Sequence, residues 1–145
     1  MIHLKGSFFD VICVNKYYGW YSDAGLLDLI TYQLVNDLTL WWQRYGKPIV
    51  VTEYGADTIP GLHQDPSFVW TEDFQLELMD QNFAAFDQMY SKGYLMGEMI
   101  WNFADFATKQ DVKRAVINRK GIFTRERQPK ASARHLKQRY TQLVR

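Results

Sequence analysis

Three apolar segments of the chain are each followed or ended by a residue whose side chain could take part in catalysis or ligand binding. Glu53 directly follows one of these segments. Tyr17 and Tyr21 lie shortly after another, and Trp101 closes the third. A carboxylate at such a position can act as a nucleophile or a base, tyrosine hydroxyls can orient a carboxylate by hydrogen bonding, and tryptophan offers a flat apolar platform to a sugar ring. These residue types predict a catalytic or binding site.

Each of these residues also has a structural interpretation. An acidic side chain at the mouth of a buried strand is costly unless it is paired or used, so Glu53 could form a salt bridge with the basic loop at about 104–128. The tyrosines and Trp101 could pack in an ordinary core, because aromatic residues make up 16% of the chain. Residue types alone leave both interpretations open.

The elements that must position these residues follow from the apolar periodicity. Strands are expected at 8–14, 48–52 and 94–101, and helices at 26–45, at 71–92 and from 129 onward. The nearly unbroken apolar run at 8–14 is typical of a strand buried on both faces, and residues 48–52 are predicted to form a second buried strand. Asp23 is expected to cap the first helix and Gly46 to end it.

Strands alternating with helices in the order β-α-β-α-β-loop-α predict an α/β fold with a parallel sheet. In such folds functional residues lie at the carboxyl ends of the strands, which is where Glu53, Tyr17 and Trp101 are expected. A complete (β/α)8 barrel needs about 250 residues. A chain of 145 residues therefore predicts either a small open sheet or the end of a barrel.

Composition restricts the class of protein. Hydrophobic residues make up 47% and charged residues 23% of the 145, which indicates one soluble globular domain. No apolar run approaches the roughly 20 residues of a membrane span, and no apolar segment typical of a signal peptide follows Lys5. Cys13 is the single cysteine. We therefore expect a cytoplasmic protein with a buried thiol, no disulfide framework and no membrane partner.

Charge is distributed unevenly along the chain. Residues 1–108 contain 5 basic and 14 acidic residues, and residues 109–145 contain 12 basic and 2 acidic residues, so their net charges are −9 and +10. This asymmetry predicts either an anionic ligand near the basic end or an internal charge match. Nucleic-acid binding is a further alternative, but no recognised motif supports it. Three scattered histidines and no glycine-rich phosphate loop predict no metal site and no cofactor.

Four motifs occur in an order that resembles the β-glucuronidases of glycoside hydrolase family 2. They are Asn15–Tyr21, Thr52–Gly55, Trp101–Phe106 and Asn118–Arg125. The resemblance covers nearly all of residues 1–145, which match the C-terminal part of the catalytic barrel in that family. It implies three βα units equivalent to strands six to eight of a (β/α)8 TIM barrel, and hydrolysis of β-D-glucuronides with retention of configuration.

The resemblance also implies roles for the residues singled out above. Glu53 matches the family's nucleophile at the end of strand seven. Tyr17 and Tyr21 match active-site tyrosines after strand six, and Trp101 matches the tryptophan that lines the sugar site.

Three further residues match the part of the family's site that binds the uronate. Asn118 and Lys120 match the Asn-x-Lys pair of glucuronidases, and Arg114 matches a nearby arginine. A fixed cation and neutral donors suit the carboxylate that distinguishes a glucuronide from a glucoside. In an extended segment both side chains of the pair would face the same way. The alternative is a solvated basic loop.

Retaining hydrolysis also needs an acid/base carboxyl about 5–5.5 Å from the nucleophile. In the family this residue follows an asparagine, and the 145 residues contain no Asn-Glu dipeptide. Glu98 lies three positions before Trp101 and would face the opposite side of the strand, so it is interpreted as structural. We therefore expect this chain to be inactive alone and to self-associate through open sheet edges. The alternative is a non-catalytic remnant or a glucuronide-binding module.

Overall fold

The computed structural model describes residues 8–109 and 117–143. In chain order the elements are β1 (Ile12–Asn15), α1 (Ile30–Tyr45), β2 (Ile49–Glu53), α2 (Glu72–Ser91), β3 (Leu95–Glu98) and α3 (Ala131–Leu143). A short 3₁₀ turn, Leu27–Leu29, precedes α1. This order confirms the predicted alternation of strands and helices.

The described residues form two compact units. The first unit comprises residues 8–54 and 80–100, and the second comprises residues 55–79, 101–109 and 117–143. The first unit holds all three strands and α1, whereas α3 belongs to the second. Within the described residues, no helix is long and apolar enough to cross a membrane.

The three strands form a parallel sheet in the order β1-β2-β3. Cys13 pairs with Val50 in one ladder, and Val51 pairs with Glu98 in the other. Because the strands are parallel, their carboxyl ends all lie at the same end of the sheet. The predicted parallel α/β architecture is confirmed.

Strand β1 and the start of β3 are buried on one face only. Ile12 and Leu95 are buried, whereas their neighbours Cys13 and Met96 are exposed. Successive side chains of a strand point to opposite faces, so Ile12 and Cys13 lie on opposite faces of β1, as do Leu95 and Met96 of β3. The predictions of a first strand buried on both faces and of a buried Cys13 thiol are therefore wrong for the described structure, because the face that carries Cys13 is left exposed.

Helix α1 ends as predicted but begins later. Gly46 adopts the left-handed conformation at φ 60° and its N–H donates to the carbonyl of Trp42 at 2.8 Å. The predicted cap, Asp23, does not cap the helix, because the 3₁₀ turn separates it from Ile30. Its carboxylate instead accepts a hydrogen bond from Gln33 Nε2 at 2.7 Å.

Helix α2 has the capping that its sequence predicts. Thr71 Oγ1 accepts the N–H of Phe74 at 3.0 Å, which satisfies one of the unpaired donors of the first turn. Glu72 and Asp73 follow in that turn, where the helix dipole favours negative charge. The predicted apolar face is buried at Phe74, Leu78, Phe83, Phe86 and Met89.

Replacing glycine by alanine is expected to destabilise the fold more at Gly121 than at Gly46. A Cβ at Gly121 would come within 2.3 Å of the Asp105 nitrogen and 2.5 Å of the Phe123 oxygen, and these are backbone atoms that cannot move aside. A Cβ at Gly46 would meet nothing within 4 Å, so only its positive φ is unfavourable. Gly121→Ala should lower the free energy of unfolding by about 3 kcal/mol or more, and Gly46→Ala by about 1 kcal/mol. Urea denaturation of the two variants measures this, and equal losses would contradict the contact geometry.

Candidate active site

In the first unit, Tyr17 and Glu53 are joined by a short hydrogen bond. Glu53 is the last residue of β2, and its backbone carbonyl accepts the N–H of Lys16 at 2.8 Å. The Tyr17 hydroxyl donates to Glu53 Oε2 at 2.6 Å. Hydrogen bonds to an ionised acceptor are short and strong. The structure therefore brings together two of the predicted site residues at the carboxyl end of the sheet.

Tyr21 supports the same arrangement from the turn that follows Tyr17. Its N–H donates to the Tyr17 carbonyl at 3.0 Å, and the two rings lie 4.9 Å apart at 57°. Gly19 within the turn has φ 77°, a conformation that glycine adopts without strain. Tyr21 is 40% exposed, so it packs against Tyr17 and still presents its ring edge to solvent.

The structural interpretation of Glu53 as a partner of the basic loop finds no support in the described residues. No ion pair there includes Glu53, although residues 110–116 of that loop lie outside the described structure. Glu98 is a strand residue of β3 and is buried.

In the second unit, Lys120 is paired with Asp57. The Lys120 ammonium donates to Asp57 Oδ2, and both side chains are fully buried. Asp57 Oδ1 accepts the N–H of Arg119 at 2.6 Å. The alternative of a solvated basic loop is therefore wrong for Lys120, because a carboxylate 63 positions away in the sequence neutralises its charge.

Asn118, also buried, shapes the segment that carries Lys120. Its Oδ1 accepts the N–H of Lys120 at 3.1 Å, which is an Asx turn. Its backbone exchanges two hydrogen bonds with Phe106, at 2.9 and 3.1 Å. Asn118 thus lies in an isolated antiparallel bridge with Phe106, and residues 118–120 belong to none of the strands of the described structure.

A second buried ion pair was not anticipated from the sequence. Lys130 Nζ donates to Asp105 Oδ1 at 2.8 Å, to Thr58 Oγ1 at 3.0 Å and to the Arg119 carbonyl at 2.8 Å. Burial lowers the pKa of Lys130, and its attraction to Asp105 opposes this shift. Burial likewise raises the pKa of Asp105 against the effect of Lys130. Lys130 and Asp105 lie 25 positions apart in the sequence, so no local sequence pattern predicts that they pair.

Trp101 and Arg114 complete the predicted set. Trp101 lies in the second unit, partly exposed, with its ring 6.0 Å from that of Phe106 in an edge-to-face contact. Arg114 lies outside the described residues. In residues 8–109 and 117–143, no group of three or more His, Cys, Asp or Glu side chains is arranged to hold a metal ion.

The buried Lys120–Asp57 pair predicts a strong energetic coupling. Removing one partner leaves an uncompensated buried charge, so Lys120→Met and Asp57→Asn should each lower the free energy of unfolding by about 3–5 kcal/mol. The double variant should lose clearly less than the sum. Lys137→Met, at an exposed lysine of α3, is the control and should change stability by less than about 0.5 kcal/mol. Chemical denaturation of the four variants measures the coupling, and additive losses would refute it.

Comparison with known proteins identifies the family. The family model for glycosyl hydrolases family 2, TIM barrel domain, matches residues 2–144. A β-glucuronidase of Paenibacillus borealis is 51% identical over 136 residues, which are 94% of this chain and 22% of that protein. The chain thus spans about a fifth of the length of this curated relative.

Solved structures give the same result for the fold. The β-D-glucuronidase of Dictyoglomus thermophilum superposes with a TM-score of 0.88 at 49% identity, over 93% of this chain and 23% of that one. The Bifidobacterium dentium β-glucuronidase complexed with coumarin-3-O-glucuronide gives 0.84 at 44% identity, over 92% and 21%. The three parallel strands and three helices are accordingly part of a TIM barrel, and the chain belongs to the TIM barrel domain of glycosyl hydrolase family 2.

Proposed function

We propose that this chain is the segment of a retaining β-glucuronidase that carries the nucleophile, Glu53. The observation that carries the proposal is the hydrogen bond from Tyr17 to Glu53 Oε2 at the carboxyl end of a parallel strand. Catalytic residues of TIM-barrel enzymes lie at this end of the strands. The relatives compared above are β-glucuronidases, which supports the same substrate class.

In the proposed reaction Glu53 attacks the anomeric carbon of the glucuronide. The glycosidic C–O bond breaks, the leaving oxygen takes a proton from the acid/base residue, and a glycosyl ester forms on Glu53. Water, deprotonated by the same acid/base residue, then attacks the anomeric carbon, whose bond to the Glu53 carboxylate oxygen breaks, and glucuronic acid is released with its configuration retained. The Tyr17 hydroxyl holds one carboxylate oxygen and thereby orients the nucleophile.

The acid/base residue is expected to come from sequence other than these 145 residues, which contain no Asn-Glu dipeptide. General acid catalysis contributes about 10²–10⁴-fold, so the chain by itself is proposed not to hydrolyse glucuronides. The absence of an Asn-Glu dipeptide from the 145 residues also supports a second candidate function, a module that binds glucuronides without turnover.

Recognition of the uronate is assigned to Lys120, Asn118 and Arg114, with Trp101 as the platform for the sugar ring. The glucuronide bound by the Bifidobacterium dentium enzyme is the class of ligand in question. In this structure the Lys120 ammonium is buried and paired with Asp57, so recognition of the uronate requires it to share or exchange this partner when the carboxylate binds. A cytoplasmic location and self-association through the sheet edges stay predictions.

The nucleophile assignment is tested in a chimera in which residues 1–145 replace the matching segment of the Paenibacillus borealis β-glucuronidase. Glu53→Gln should lower turnover of p-nitrophenyl glucuronide by about 10³-fold or more, because the glycosyl ester cannot form. Glu126→Gln, at an exposed carboxylate, should leave the rate unchanged. A 2-fluoro-glucuronide should label Glu53 covalently, and labelling of another residue would overturn the assignment.

The uronate assignment is tested in the same chimera by the ratio of kcat/KM for a glucuronide to that for a glucoside. This ratio does not depend on the folded fraction, which matters because Lys120 also stabilises the fold. Lys120→Met should lower the ratio about 10- to 100-fold, since a hydrogen bond to a charged group is worth about 1.5–3 kcal/mol. Lys137→Met is the control. Equal losses on both substrates would show that Lys120 does not recognise the carboxylate.

A further inference from the structure

Asp37, on helix α1, binds the residues on both sides of Tyr17. The Tyr18 hydroxyl donates to Asp37 Oδ2 at 2.9 Å, and the Lys16 ammonium is paired with the same oxygen. The Lys16 and Asp37 side chains are only 20% and 26% exposed. One carboxylate oxygen therefore holds residues 16 and 18 against the helix.

Tyr17 lies between these two residues and contacts the other side of the segment. Its hydroxyl is 2.6 Å from Glu53 Oε2, at the end of β2. Successive side chains of an extended segment point to opposite sides. The side chains of Lys16 and Tyr18 contact α1, whereas the side chain of Tyr17 between them contacts Glu53.

The helix that carries Asp37 is firmly anchored, and the Tyr18 hydroxyl that contacts Asp37 has a raised pKa. Leu34 and Leu38, which flank Asp37 on α1, are fully buried, so the carboxylate projects from a fixed part of the unit. Burial, the hydrogen bond to Asp37 and the charge of Asp37 all raise the pKa of Tyr18 well above its ordinary value. Tyr18 therefore remains a protonated donor to Asp37.

We propose that Asp37 is a positioning residue for the nucleophile, acting through Lys16 and Tyr18 on the orientation of Tyr17. This inference rests on the proposed function, because it assumes that Glu53 is the reacting group. Asp37 itself lies on the helix side of the segment and has its effect through Tyr17. Its loss should therefore affect the chemical step more than substrate binding.

The test is a double-mutant cycle between Asp37 and Tyr17 in the chimera. Asp37→Ala should lower kcat about 10-fold with KM changed less than about twofold. In a Tyr17→Phe background the same substitution should lower kcat by less than about twofold, because the group it positions is already gone. Asn36→Ala, at the neighbouring exposed position of α1, is the control and should leave kcat and KM unchanged.

The conservative variant adds a second readout. In Asp37→Asn the amide oxygen still accepts the Tyr18 hydroxyl, but the attraction for Lys16 is lost. This variant should therefore retain a kcat between those of the parent chimera and Asp37→Ala. Additive losses in the cycle, or an effect of Asp37→Ala on KM alone, would overturn the positioning role.

Hydrogen exchange of the 145-residue chain tests the inference without activity. The amides of Lys16 and Tyr21 donate to Glu53 and Tyr17 in the parent, and in Asp37→Ala they should exchange faster, while amides of the second unit keep their rates. Unchanged exchange at both amides would refute the positioning role. An inactive parent chimera would count against the proposed function instead, and the exchange result would then decide the role of Asp37.

Discussion

The candidate site of the first unit is built around the hydrogen bond between Tyr17 and Glu53. It forms only because β1 and β2 are parallel neighbours, so that the loop after β1 and the last residue of β2 reach the same edge of the sheet. A carboxylate placed there needs a donor, and Tyr17 supplies it. The contacts of Asp37 with Lys16 and Tyr18 hold the loop in the conformation that this hydrogen bond requires.

In the second unit, basic side chains are buried and need acidic partners. Lys120 and Lys130 are both buried, and each has its own aspartate, Asp57 and Asp105. Such pairs contribute little net stability, but the loss of one partner is expensive. The excess positive charge near the C-terminus is thus matched internally at these two lysines. The pairs also order the Asn118–Gly121 segment, since Arg119 and Gly121 bind the same carboxylates through their backbone.

Local patterns predicted the elements well and the environment of single side chains less well. The strand and helix order, the end of α1 at Gly46 and the apolar face of α2 are confirmed, because periodicity and glycine conformation act within a few residues. The burial of Cys13 and the capping role of Asp23 were wrong. The first depends on what covers each face of the sheet, and the second on a 3₁₀ turn that the periodicity does not distinguish from the helix.

The sequence by itself determined the family, the parallel α/β order and the placement of Glu53 and Tyr17 at strand ends, because motifs and apolar runs are local properties of the chain. Only the tertiary structure decided which groups these residues meet. Asp37 lies 19 positions from Tyr18, Lys130 lies 25 from Asp105, and Lys120 lies 63 from Asp57. Pairs so far apart meet only when the strands and loops between them have folded. The residue types alone do not indicate which of several carboxylates a given lysine or tyrosine will bind.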